Sequence, residues 1–240
     1  MPADSDASPT SLLHRDTWVF DLDNTLYPAE CDLFAEIDQR MTDFVARFLH
    51  LPRDEARATQ KRYYAEHGTT LNGLMTLHGM DPFEFLAHVH EIDLSPLPTS
   101  PDLANAIAAL PGKKYVYTNG SRRHAARVTE YMGLAHIFDG HFAIEDSQYT
   151  PKPAQSSYDQ FCERFGISPQ NSVFFEDLSR NLAPAHAMGF TTVMVHSDKD
   201  WSHEPAAARP AGIGDDQPGH IDYVTGNLTQ FLQALRSENA

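Results

Sequence analysis

The chain has 240 residues, enough for one large domain or for a core with an insertion, and 41% hydrophobic residues, enough for an ordinary buried core. Its net charge of −15 argues against a nucleic acid polymer or an anionic membrane surface as partner. The two cysteines, Cys31 and Cys162, lack metal-ligand spacing, and no apolar run approaches a membrane span, so a cytoplasmic location is expected.

Residues 1–16 are polar, with Pro2, Pro9 and several Asp and Ser, and read as a disordered leader. Trp18 to Phe20 is an apolar strand ending in Asp21. Leu33, Ile37, Met41, Phe44 and Phe48 then recur at spacings of four and three, the apolar face of a helix. Further helices are predicted over Arg53–Tyr64, Thr69–Leu77 and Pro82–His90, with no convincing strand from Pro28 to Pro98. After Pro98 the pattern changes to alternating strands and helices. Ser100-Pro101 opens a helix, a strand runs to Thr118, and Ser121 caps a helix that stops near Gly133. A short strand follows at His141–Glu145 and a helix at Ser156–Phe165. The remaining elements are strands at Val173–Glu176 and Thr191–His196, a helix at Asn181–Met188 between them, then a last strand near Ile221–Val224 and a last helix at Leu228–Leu235. The fold class is therefore α/β: a Rossmann-like, mostly parallel sheet core (17–27 and 99–240) with an all-helical insertion at 28–98 after the first strand. The segment from Asp198 to Gly219 reads as a surface loop.

Ligands of such sheets bind beyond the carboxyl ends of the strands, where Asp21, Thr118 and Asp177 fall. Asp21 and Asp23 leave an extended chain on the same face, and two carboxylates there repel unless a hard divalent cation such as Mg²⁺ neutralises them. Alone, Asp-x-Asp-x-Thr also fits a solvated acidic turn. Its order with Thr118-Asn119-Gly120, Lys152-Pro153 and Glu176-Asp177 resembles the four motifs of the haloacid dehalogenase-like hydrolase superfamily, over a stretch from about Val19 to Val195. Within it, Asp21 to Pro28, Tyr63-Tyr64 with Gly68, Leu71-Asn72-Gly73-Leu74 and Tyr158 resemble the pyrimidine 5′-nucleotidase branch.

The resemblance implies a Mg²⁺-dependent phosphomonoesterase that works through an aspartyl-phosphate. Asp21 would be the nucleophile and a metal ligand. Asp23 would be the acid and base, with its backbone carbonyl on the metal. The dehalogenase branch lacks an acid at the second position, because a halide needs no proton to leave. Thr118 and the Asn119 N–H would hold phosphoryl oxygens, and Lys152 would bridge Asp21 and the phosphate. Asp177 is the best additional metal ligand. Glu176 stands where the family often has Asp, so it binds the metal directly or through water. Asn181 fits either the second polar position of the fourth motif or an ordinary helix start.

Tyr27, Tyr63 and Tyr64 are candidate contacts to a base or sugar, with core packing as the alternative. Arg122 and Arg123 are candidates to face the leaving group, with a solvated helix start as the more usual alternative. The helical insertion would act as a cap that excludes water and selects the substrate, a small phosphorylated metabolite such as a nucleotide. The thirteen histidines show no metal-binding pattern and read as structural or solvated. No basic pair stands out in the insertion to anchor a second phosphate, as a mutase would need. The alternatives are a phosphatase for another metabolite, such as a sugar phosphate, and a non-catalytic binding protein on the same scaffold.

Overall fold

The structure, a computed structural model, describes residues 9–201 and 218–237. Six parallel strands form one sheet in the order β3-β2-β1-β4-β5-β6. Here β1 is Thr17–Phe20, β2 Lys113–Tyr117, β3 Gly140–Phe142, β4 Ser172–Glu176, β5 Thr191–Val195 and β6 Tyr223–Thr225. The chain lays β2 and β3 on one side of β1 and β4 to β6 on the other. The strand order therefore reverses between β1 and β4, and a crevice opens at their carboxyl ends. In register, Phe20 sits beside Val116 of β2 and Phe175 of β4.

The residues of β1 are buried on both faces, as a central parallel strand must be. Alternate side chains serve two cores. Trp18, Phe20, Val116, Val173 and Phe175 point to one. Val19, Tyr115, Tyr117 and Phe174 point to the other. Phe20 and Phe175 stack with centroids 4.7 Å apart, which locks β1 against β4 directly below the crevice. Helices α5 (Pro101–Ala108), α6 (Arg122–Tyr131) and α9 (Leu228–Ser237) cover the first face; α7 (Gln155–Phe165) and α8 (Ser179–Met188) cover the second. Ser100 and Ser121 cap α5 and α6 as expected, accepting from the N–H groups of Leu103 and His124.

Between β1 and β2 the chain forms α1 (Leu33–Leu49), α2 (Arg53–His67), α3 (Thr70–His78) and α4 (Pro82–Val89). The apolar stripe of α1 packs inward through Leu33, Ile37 and Phe44. Thr69 and Asp81 cap α3 and α4. α2 crosses α3 closely because position 73 is glycine: a Cβ there would lie 2.5 Å from Cβ of Tyr63.

Several boundaries differ from the sequence reading. Residues 1–8 lie outside the described residues, but Pro9–His14 forms a 3₁₀ turn against α9 and buries Leu12, so the leader reading fails from Pro9 onward. Buried Leu12, with Leu13 packed beside it, anchors a segment whose other residues give little apolar pattern. The strand expected at His141–Glu145 ends at Phe142, because Asp146 turns the chain by accepting from the Ala143 N–H. Helix α8 begins at Ser179, so Asn181 lies inside it. Most of the loop expected at Asp198–Gly219 lies outside the described residues. Among the described residues, no helix is long and apolar enough to cross a membrane.

Candidate active site

The crevice holds a cavity of about 340 Å³ lined from both sides, by strand ends of the sheet and by α1 and α2 of the insertion. Asp21 follows β1 directly, and its N–H extends the ladder to the Phe175 carbonyl. Thr118 follows β2 and its N–H bonds the Phe142 carbonyl. Glu176 closes β4, and Asp177 follows it. Sheet pairing thus aligns motif residues from three stretches that are far apart in sequence.

Lys152 joins them. Its side chain is 1% exposed, and its Nζ donates to Asp21 Oδ1 (2.7 Å), Glu176 Oε2 (2.6 Å) and the Tyr117 carbonyl (2.9 Å). The backbone carrying it is clamped by Asn119, whose Oδ1 accepts from Lys152 N–H (2.8 Å) and whose Nδ2 donates to Lys152 O (3.1 Å). The Asn119 side chain therefore serves Lys152, and only its backbone N–H is left to meet a phosphoryl oxygen. Burial opposes the ammonium charge, yet Asp21 and Glu176 hold Lys152 above its ordinary value.

Asp21, Glu176 and Asp177 offer oxygens within 4.8 Å of one another, all buried. Burial, then the neighbouring Glu176 charge, pushes Asp21 up to about 8 against the pull of Lys152. Burial, Glu176 and Asp21 likewise raise Asp177 well above the carboxylate range. Three ionised carboxylates and one ammonium leave two negative charges, the complement of a divalent cation. Asn181 adds a buried side-chain oxygen with no hydrogen-bond partner at the same cavity. A hard oxygen-seeking cation such as Mg²⁺ fits this donor set. Glu176 is already engaged at both oxygens, by Lys152 Nζ and by the Leu178 N–H, whereas Asp177 receives the Asn24 amide at the long distance of 3.5 Å and faces Glu176.

Asp23 stands on the other side of Asp21. Its Oδ1 accepts from the Tyr27 hydroxyl and from His124 Nε2 (2.8 Å). Burial works against its charge, but the His124 imidazole and the hydrogen bonds from His124 and Tyr27 outweigh it and hold the carboxyl below the ordinary range. The Thr118 hydroxyl accepts from the Gly120 N–H at 2.8 Å. A Cβ on Gly120 would stand 3.2 Å from Thr118 Oγ1 and 3.6 Å from Asp23 Oδ2, so the glycine keeps space free between these two oxygens.

The tyrosines separate. Tyr64, on α2, lines the cavity and accepts a hydrogen bond from Arg180, whose guanidinium lies 4.3 Å from its ring centroid. Burial pushes its hydroxyl up to about 12. Tyr27 and Tyr63 do not reach the cavity, which corrects their reading as substrate contacts. Tyr27 is 1% exposed and spends its hydroxyl on Asp23. Tyr63 is packed over Gly73 and bonded to His78. A sequence shows that a side chain is aromatic but not which way its helix or turn aims it. Arg122 and Arg123 also face elsewhere, paired with Asp146 and Glu91.

Two features went unseen in the sequence. His124 and His90, read as structural or solvated, stack at 4.4 Å beside Asp23. The insertion does carry a basic pair at the cavity: Arg57 and Lys61, one turn apart on α2, both donate to Asp38 of α1, at 2.8 and 2.7 Å. The signal for the pair was its i, i+4 spacing on α2; its partner Asp38 lies on the buried face of α1 beside Thr42.

The chain is similar to several known proteins. "Phosphate metabolism protein 8" of Saccharomyces cerevisiae is 29% identical over 210 residues, covering 79% of this chain and 64% of that protein. "Phosphoglycolate phosphatase" of Pasteurella multocida is 27% identical over 211 residues, covering 82% of this chain and 92% of that one. Among solved structures, a HAD phosphatase from Thermococcus onnurineus superposes with a TM-score of 0.61 at 21% identity, covering 94% of this chain and 100% of the other. The L-2-haloacid dehalogenase of Xanthobacter autotrophicus gives 0.57 at 17% identity, covering 93% and 99%. At such identities the superpositions speak for the fold alone. The family profile described as haloacid dehalogenase-like hydrolase matches residues 16–189, which span β1 to the end of α8 and every motif residue of the crevice. The chain is a member of the haloacid dehalogenase-like hydrolase family.

Proposed function

We propose that the chain is a Mg²⁺-dependent phosphomonoester hydrolase that works through an aspartyl-phosphate on Asp21. The observation that carries this reading is the buried Asp21 carboxylate, 2.7 Å from Lys152 Nζ and grouped with Glu176 and Asp177 at the carboxyl ends of the central strands. Asp21, Asp177, the Asp23 carbonyl and Glu176, directly or through water, would hold the cation, with Asn181 Oδ1 beside them. When bound, the cation supplies charge neutralisation between the attacking carboxylate and the phosphate.

The chain's own residues do the rest. An Asp21 oxygen attacks phosphorus in line, and the bond to the leaving oxygen breaks. Asp23 gives that oxygen a proton, then takes one from the water that cleaves the aspartyl-phosphate, releasing inorganic phosphate and restoring Asp21. The Thr118 hydroxyl and the Asn119 N–H hold phosphoryl oxygens, and Lys152 offsets the charge that builds on them. The insertion acts as the cap over this chemistry. Asp23 separates the reaction from dehalogenation, which needs no proton donor.

For the substrate we infer a pyrimidine nucleoside 5′-monophosphate, supported by the insertion pattern around Tyr63-Tyr64 and Leu71-Asn72-Gly73-Leu74 and by Tyr64 at the cavity wall with Arg180. A second reading is a small phosphate ester carrying another anionic group. Arg57 and Lys61 at the same wall favour it. A phosphate-release screen tests both readings. UMP, CMP, AMP, GMP, phosphoglycolate and sugar phosphates are offered with Mg²⁺ and with EDTA, to the native chain and to Asp21→Asn. The expected result is hydrolysis of UMP or CMP ahead of the purine nucleotides, abolished by EDTA and by Asp21→Asn. Preference for phosphoglycolate or a sugar phosphate selects the second reading. Near-normal turnover by Asp21→Asn would sink the covalent mechanism.

A further inference from the structure

Both hydrogen bonds that Asp23 accepts fall on one oxygen. Tyr27 reaches Oδ1 from the turn after β1, and His124 reaches it from the first turn of α6, at 2.8 Å. Neither donor has freedom to move: Tyr27 is 1% exposed and His124 0%. Because a carboxylate only accepts, the proton of the imidazole sits on Nε2, and His124 Nδ1 has no hydrogen-bond partner. What fixes the ring on its other side is a stack. His90, which follows α4, lies parallel to it with centroids 4.4 Å apart and an interplanar angle of 11°.

His90 is itself held at two further points. Its Nδ1 is 2.9 Å from Ser121 Oγ, the same oxygen that accepts from the His124 N–H at 3.2 Å. Its carbonyl and that of Ile92 accept from the Arg127 guanidinium at 2.8 and 3.2 Å. The return leg of the helical insertion is thereby tied to α6, and α6 to Asp23. The second carboxylate oxygen, Oδ2, takes no hydrogen bond from the described residues, and the missing Cβ of Gly120 leaves room beside it.

We propose that Tyr27 and His124, with His90 stacked behind, form a two-pronged fork that fixes the orientation of Asp23 by holding Oδ1 and leaves Oδ2 to meet the leaving group. The inference rests on the reading of Asp23 as acid and base. The terminal torsion of an aspartate is broad and soft, so an unsupported carboxyl samples many directions and either oxygen. With Oδ1 already accepting two hydrogen bonds, Oδ2 is the oxygen left in a fixed direction for an incoming group. Tyr27, His124 and His90 are positioning residues: they touch Asp23 or one another, not the substrate.

A positioning role for the acid shows in leaving-group dependence, which a loss of folding alone does not alter. The test compares p-nitrophenyl phosphate with phenyl phosphate, two esters of similar shape whose leaving groups differ in their need of a proton. It uses the full chain with Mg²⁺, in Asp23→Asn, Tyr27→Phe, His124→Ala and His124→Gln, with melting temperatures alongside. Removing a general acid costs about 10²–10⁴-fold, so misdirecting one is expected to lower kcat for phenyl phosphate about tenfold or more in Tyr27→Phe and His124→Ala. The loss for p-nitrophenyl phosphate should stay within about threefold, and His124→Gln, which keeps a side-chain N–H, should recover much of the difference. Equal losses on both esters, or none, in variants where Asp23→Asn does discriminate would overturn the fork. An Asp23→Asn enzyme that treats both esters alike would instead remove the acid–base reading itself. Should His124→Ala not fold, Tyr27→Phe, which lacks a single oxygen, decides the matter by the same comparison of esters.

Discussion

Replacing Lys152 by methionine tests the electrostatic logic of the crevice. Methionine keeps much of the side chain's bulk but removes an ammonium bonded to Asp21 Oδ1, Glu176 Oε2 and the Tyr117 carbonyl. Three buried carboxyl groups are left facing one another. Removing one partner of a buried ion pair costs about 3–5 kcal/mol. At about 2–4 °C per kcal/mol for a chain of this size, the metal-free variant should melt about 6–20 °C lower near neutral pH. The loss should depend on pH with a definite sign. Asp21, raised from 3.8 to about 8, and Asp177, also raised, bind protons more tightly folded than unfolded, so the stability of the metal-free protein falls as pH rises through that window. Without Lys152 to pull Asp21 down, the fall is steeper. The gap between variant and parent should therefore be wide at pH about 8 and narrow at pH about 5. Mg²⁺ at a hundred times its Kd should return about 2.7 kcal/mol. Adding Glu176→Gln to Lys152→Met should also narrow the gap, because it withdraws one of the stranded charges. Differential scanning calorimetry in EDTA and in Mg²⁺ reads all of this. A gap that is the same at both pH values, and indifferent to Mg²⁺ and to Glu176→Gln, would refute the reasoning.

Two other perturbations follow from the placement of single side chains. Tyr63→Ala empties a packed position inside the insertion and should destabilise by about 3 kcal/mol in denaturant titration, whereas Tyr64→Ala should spare stability and weaken nucleotide turnover more than p-nitrophenyl phosphate turnover. Asn119→Ala frees the backbone of Lys152 from both clamping hydrogen bonds and should lower kcat for every ester alike, unlike the variants around Asp23, in steady-state assays.

Much of the crevice was legible because it is built from strand ends. An apolar run that stops at Asp21, Thr118 or Asp177 announces both the strand and the residue just beyond it, and parallel pairing brings those positions to one edge. Lys152 was legible through its place in the motif order, although nothing in its neighbourhood shows that Asn119 grips its backbone. His90 and His124 were not legible. They lie on either side of the return leg of the insertion, with no ligand-like spacing, and the ties of Ser121 to His90 and of Arg127 to His90 and Ile92 bring them together. The buried polar group around Asp38 was hidden for a related reason. Gln60, Arg57 and Lys61 satisfy it from a different helix, and an apolar stripe read along α1 does not reveal what crosses it. Leu12 escaped because an anchor of two adjacent leucines leaves no periodicity.

The sheet order has a consequence for how the chain is made. β1, which carries Asp21, pairs only with β2 and β4, so Thr17 meets Lys113 on one side and Ser172 on the other. A strand with no local partner must wait for distant ones, and such contacts form slowly because a long loop has to close first. During synthesis, the four helices of the insertion leave the ribosome with most of their own contacts at hand and can assemble early. β1 stays without its full ladder until β4 emerges. Asp21 and its partners Lys152, Glu176 and Asp177 therefore come together in one late event, and a nascent chain stopped short of β4 holds the Asp21 carboxyl but no assembled crevice.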